Sequence, residues 1–277
     1  MSAPVHEGVE IAGEAIKFKP DELIAHHILD SRMLELPFVG EVQLPVLHLG
    51  RYELPITKYV VMMWIASALI LLVAWLATRR RSLAPRGVHN VLEAIVVFVR
   101  DELARKNIGP HGDRYVPYLL STFTFILFCN MLGLVPYGAT ATSNISVTAG
   151  LAGLAFLMIQ FGGVREHGLV GHFRNLLPHG MPFWLLPIMI PVEIVGMFTK
   201  PFALCVRLFA NMTAGHIAVL SFFSLVFILK SVWVGVVLSL PLALFISGIE
   251  ILVVFLQAYI FTMLTSLFIG MSVHPQH

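Results

Sequence analysis

Residues 59–78, twenty positions without one charged side chain, constrain this chain more than any other stretch. As a helix at about 1.5 Å per residue they reach about 30 Å, the thickness of a bilayer's hydrocarbon core. Composition agrees, with 57% hydrophobic residues and only 12% charged, about half the charged share of soluble domains. The chain reads as an all-α integral membrane protein. The run starts too late and is too long for a cleavable signal peptide, so it is expected to stay as an anchor. A formal charge of +2, with no Lys/Arg block interleaved with aromatics, excludes nucleic acid as a partner. Cys129 and Cys205 both lie in apolar runs and read as small buried hydrophobes, not as a disulfide or a metal site.

Arg79, Arg80, Arg81 and Arg86 close the first span. By the positive-inside rule that end is cytoplasmic, and residues 1–57 form an extracytoplasmic tail. Within the tail, 34–55 alternates enough to allow a short β-hairpin. Residues 89–106 set Val91, Leu92, Ile95, Val96 and Val97 against Glu93, Arg100, Asp101 and Glu102. Their apolar part is too short to span, which predicts an amphipathic helix along the cytoplasmic surface. Further spans are expected at 115–135 and 145–164. The joining PYGATATSN is rich in turn formers and lacks Lys and Arg, so it belongs outside. Arg165, Arg174 and three histidines return the loop 165–180 to the cytoplasm.

The last two apolar segments, 181–229 and 232–271, would each reach roughly 60 Å or more as straight helices. Tilting, a partly interfacial course or breaks at Pro182, Pro187, Pro191 and Pro201 are expected to absorb the excess. The predicted membrane domain, 58–277, therefore holds five transmembrane helices and one surface helix. The last two are long, tilted and paired as an antiparallel hairpin, and the C-terminus is cytoplasmic.

Arg207 stands inside KPFALCVRLFANMTAG, with apolar text continuing well beyond it. A guanidinium keeps its proton at any relevant pH and costs at least about 2.5 to 3.5 kcal/mol at bilayer depth. It is too deep to snorkel, so it is a functional candidate. Steps of seven from Glu193 to Lys200 and to Arg207, then four to Asn211, keep these polar residues near one helical face. His216 falls on the opposite face from Arg207. On the final segment Glu250 and Gln257 share a face. If the two segments fold back near 230–233, Arg207 meets the level of Gln257 while His216 meets that of Glu250.

An imidazole beside a carboxylate at that depth forms a proton relay or, more blandly, a buried pair that fixes helix register. For Asn130 the expectation is interhelical hydrogen bonding. Other chemistry is excluded: the sequence has no HExxH, no Ser-centred elbow and no P-loop. His167 and His172 read as solvated loop residues. No cofactor is expected.

RLFANMTAGH around Arg207, PVEIVGMFTKP before it and FLQAYIFTMLT near the end resemble the a subunit of the F-type ATP synthase membrane sector. The likeness implies a bacterial inner-membrane subunit that is not itself an enzyme. It would work beside a ring of c subunits, peripheral-stalk b subunits and the rest of the complex. It implies that Arg207 is the stator arginine facing the ring, with Asn211 and Gln257 beside it. His216 and Glu250 would line the outer half-channel, and Glu193, with Lys200 on the same stripe, the cytoplasmic one. The rival reading is a secondary transporter whose arginine binds an anionic substrate; it calls for inverted repeats with paired broken helices, which the sequence lacks.

Overall fold

The computed structural model describes residues 33–36, 40–49, 52–79, 87–135, 140–175, 186–229, 233 and 235–274. Two small antiparallel strand pairs come first: β1 (Met33–Leu36) with β2 (Gly40–Gln43), and β3 (Val46–Leu49) with β4 (Tyr52–Pro55). The stretch expected to allow one hairpin thus holds two. Pro45, which has no N–H to give a ladder, lies between them.

Helix α1 (Lys58–Arg79) turns Ala66 toward α3 (Val116–Gly133), where it packs with the buried Cys129. Its opposite side leaves Trp64, Leu71 and Trp75 exposed, and the Arg79 guanidinium lies 4.8 Å over the Trp75 ring. Arg80, Arg81 and Arg86 lie outside the described residues.

Helix α2 (Val88–Phe98) continues through a wider π-helical turn (Val99–Arg105) and a last short turn (Lys106–Ile108). Its two halves behave differently. Val91 and Val97 remain exposed, whereas Val99, Leu103 and Ile108 enter the main core. The polar side is laced by Arg105, which pairs with Asp101 at 3.2 Å and Asp113 at 2.8 Å. A hydrogen bond from Arg100 holds the Asp101 carboxyl below its ordinary range, and Arg105 does the same for Asp113. The end of this segment is tied to the last helix: Asn107 Nδ2 donates to Ser266 Oγ at 2.8 Å. Beside that bond Gly270 passes so close that a Cβ would run into the Asn107 carbonyl.

Helix α4 (Ile145–Asn175) extends past the expected end of its span. Gly168, at φ 70°, breaks it and turns 169–175 back along its end. The histidines expected in a solvated loop are therefore held by the protein. His172 is buried, with Nε2 2.7 Å from Gln160 Oε1, and His167 Nε2 lies 3.0 Å from the Val273 carbonyl, to which it donates.

Helix α5 (Leu186–Leu229) runs 44 residues and passes through Pro191 and Pro201. Of the three ways expected to absorb the excess length, breaks at these two prolines are not the one taken. Each proline removes one intrahelical donor, which a membrane helix tolerates where nearby groups satisfy the freed carbonyl. Pro187 lies in the first turn, where a missing N–H costs nothing, and Pro182 is outside the described residues. A π-helical turn (Gly235–Ser239) then leads into α6 (Leu240–Val273). Lys200 Nζ sits 5.5 Å over the Phe268 ring and His216 meets Glu250. Early α5 thus touches late α6, and late α5 touches early α6.

The core lies where these elements converge. Leu204, Leu208 and Met212 of α5, spaced by four, meet Val254, Ala258, Phe261 and Ile269 of α6. Leu119, Phe123 and Ile126 of α3 and Ala155 and Ile159 of α4 close it. Among the described residues five helices, α1 and α3 to α6, are long and apolar enough to cross a bilayer. The membrane body is all-α.

Candidate functional site

Helical periodicity gives α5 two distinct long sides. Because Leu204, Leu208 and Met212 point inward, Ala203, Arg207, Ala210, Asn211 and Ala214 point outward, and all five are exposed. Arg207 has no hydrogen-bond or ion-pair partner among the described residues. A permanent cation is thereby presented on a strip of small side chains, which lets another backbone approach closely. Glu193 and Lys200, half-buried, continue the stripe toward the start of α5.

On α6 the row Glu250, Val254, Gln257, Ala258 and Phe261 faces inward. Gln257 is only 5% exposed and makes no hydrogen bond to Arg207 among the described residues. The fold-back sets level but not direction: Gln257 belongs to the buried row of its helix, while Arg207 belongs to the outward strip of its own.

His216 and Glu250 do meet. Nδ1 of the imidazole lies 3.3 Å from Glu250 Oε1. Glu250, 9% exposed, gains its counter-group from the other helix. The pair can hold a proton between a nitrogen and an oxygen.

A third member was not singled out in the sequence. The loop before α4 enters a short 3-10 turn (Ala141–Ser143), and Thr140 just before it is buried. Its Oγ1 lies 2.5 Å from His216 Nε2. Four further hydrogen bonds fix this loop. Thr142 Oγ1 donates to Asn130 Oδ1 on α3, Ser143 N and Oγ both donate to the Thr140 carbonyl, and Thr213 Oγ1 donates to the Ser143 carbonyl at 3.4 Å. Gly133 completes the cradle, since a Cβ there would collide with the Thr140 side chain. In PYGATATSN the only visible signal was a cluster of hydroxyls among turn formers. Asn130, expected to bond between helices, instead accepts from Thr142 in the turn that follows its own helix.

Among the described residues no group of three His, Cys, Asp or Glu side chains is placed to hold a metal ion. What the geometry offers is an outward fixed cation and, on the far side of the same helix, a half-buried imidazole in contact with a buried hydroxyl and a buried carboxylate.

Comparison with known proteins agrees with that geometry. The family described as ATP synthase A chain matches residues 60–270. The chain is 48% identical to ATP synthase subunit a of Chlorobium phaeobacteroides (strain DSM 266 / SMG 266 / 2430), over 98% of this chain and 82% of that one. It is likewise 48% identical to ATP synthase subunit a 2 of Chlorobaculum tepidum, over 98% of this chain and 79% of that one. With ATP synthase subunit a of Anaeromyxobacter sp. (strain Fw109-5) the identity is 54%, over 82% of this chain and 56% of that one.

Proposed function

Since the chain belongs to the ATP synthase A chain family, we propose that it is the stator of the rotary motor, carrying protons to and from carboxylates on a rotating c-ring. As a member of that family it is a multi-pass bacterial membrane subunit of the Fo sector, translocating protons without itself catalysing ATP chemistry.

The observation that carries the finer reading is the outward strip of α5. Arg207 and Asn211 stand exposed beside Ala203, Ala210 and Ala214, and a cation at bilayer depth cannot be left facing lipid without cost. The ring carboxylate is the complement to that charge. Protons enter from outside past Glu250 and His216, ride the ring for most of a turn, and leave near Glu193 on the cytoplasmic side, with Lys200 on the same path. Arg207 separates the two routes. Its charge favours the ionised form of the arriving carboxylate and repels a proton that would cross directly. In this reading residues 1–57 and the loop carrying Thr140 lie outside, the C-terminus lies in the cytoplasm, and peripheral-stalk b subunits hold the chain against the torque.

Arg207→Ala tests the reading in the intact complex. Coupled, ATP-driven proton pumping should vanish although the subunit assembles. Pumping at the wild-type rate would overturn it.

A further inference from the structure

Nothing so far gives Thr140 a task, yet its hydroxyl is buried and touches the imidazole on the side away from Glu250. The geometry points to Thr140 as a positioning residue for proton transfer at His216. Hydrogen-bonded to Nε2, its hydroxyl holds the ring with Nδ1 turned to Glu250, and so positions Nδ1 as the nitrogen that exchanges a proton with that carboxyl. This rests on the stator reading and deepens it.

A histidine ring has two nitrogens, and which of them carries the proton is set by what the other one meets. In the imidazolium, Nε2–H donates to Thr140 Oγ1 and Nδ1–H to Glu250 Oε1. Transfer breaks the Nδ1–H bond and forms an O–H bond on Glu250. The electron pair stays on Nδ1, and the neutral ring keeps its proton on Nε2, still donating to Thr140. The next proton can then return only to Nδ1, the atom that faces the carboxylate. Without the hydroxyl the ring loses its hydrogen bond at Nε2, and Nδ1 is no longer held toward Glu250.

The surroundings suit a fixed hydrogen-bond partner. The Thr140 carbonyl is held by both the N–H and the hydroxyl of Ser143, so the backbone that aims the side chain is itself anchored. Gly133 backs the side chain closely, which denies it room to turn aside. The groups facing His216 are Thr140 from the loop before α4 and Glu250 from α6. Arg207, nine positions earlier, is on the opposite side of α5.

Volume and hydrogen bonding are separable at this position. Thr140→Val keeps the shape and deletes the hydroxyl, whereas Thr140→Ser keeps the hydroxyl and deletes a methyl. Passive proton conductance would be measured in vesicles holding the stripped membrane sector of each variant, matched for subunit content. The valine variant should lose about tenfold, the scale of one hydrogen bond to a charged group, and the serine variant should recover most of that. In a Glu250→Gln background the valine change should have no further effect, because Thr140 acts through that transfer.

Wild-type conductance for Thr140→Val overturns the proposal. So does a serine variant as slow as the valine one, which would mark a packing role, or a full additional loss in the Glu250→Gln background. Should the valine chain fail to assemble, Thr140→Ala against Thr140→Ser is read in the same way. Arg207→Ala is assayed alongside. If it pumps normally, the stator reading fails. If it is dead while Thr140→Val is normal, only the role of Thr140 fails.

Discussion

The contact between His216 and Glu250 admits a quantitative test. Two unit charges 3.3 Å apart attract by about 5 kcal/mol at an effective dielectric constant of about 20. Much of that is offset, because the Glu250 side chain is only 10% exposed and the His216 side chain 26%, and removing charges from water costs several kcal/mol per ion. A net coupling of about 1 to 3 kcal/mol is expected, the usual range for contacting residues in one network. In rate this is a factor of about 5 to 150. The assay is a double-mutant cycle on passive proton conductance with His216→Gln, Glu250→Gln and the pair together. Each single change should remove most of the conductance, and the pair should be little worse than either. A second arm exchanges the residues, His216→Glu with Glu250→His. Because the contact joins one nitrogen to one oxygen, the exchange should conduct better than His216→Glu alone, which sets two carboxyls face to face. Losses that add within about 0.3 to 0.5 kcal/mol, or an exchange no better than the single change, would refute the claim that these residues act as one unit.

Two other perturbations reach different parts of the chain. Gly270→Ala puts a methyl against the Asn107 backbone carbonyl, which cannot swing aside as a side chain would; a loss of about 1 to 3 kcal/mol should appear as a lower melting temperature in detergent. The Asp101 and Asp113 carboxyls are held below their ordinary value of 3.8 by Arg100 and Arg105, so folding is favoured above that pH and the contribution is lost as pH falls through the depressed values. Amide exchange over Lys106–Ile108 should therefore accelerate in acid below about pH 4, and Asp113→Asn should flatten that response.

The spans were legible because uninterrupted apolar runs carry their own signature. The meeting of His216 with Glu250 was legible for a different reason: a fold-back near 230–233 leaves little freedom in which levels coincide. Direction around the helix was harder to read. Gln257 shares a level with Arg207, but its side follows from the buried row that includes Val254 and Phe261, a matter of packing against α3 and α4. The sequence left tilting, an interfacial course and proline breaks open; the helix runs on through Pro191 and Pro201, since proline breaks helices in water more readily than in a body whose alternative is unpaired backbone in hydrocarbon. The polar stretch 165–180 looked like a solvated loop because its histidines and arginines resemble surface. Its first part is helix, and His172 finds Gln160 only once Gly168 has turned the chain. Thr140 was hidden among turn formers, and its significance depends on an imidazole 76 positions away.

Gly133 and Gly270 sit where this fold leaves no space for even one more carbon. An alanine scan, ordinarily a survey by deletion, becomes at these two points a survey by addition. Damage there would report crowding and not a missing function. At Gly133 the crowded neighbour is Thr140 itself, so a residue with no side chain governs the aim of one that has, and an inventory of reactive groups alone would pass it by.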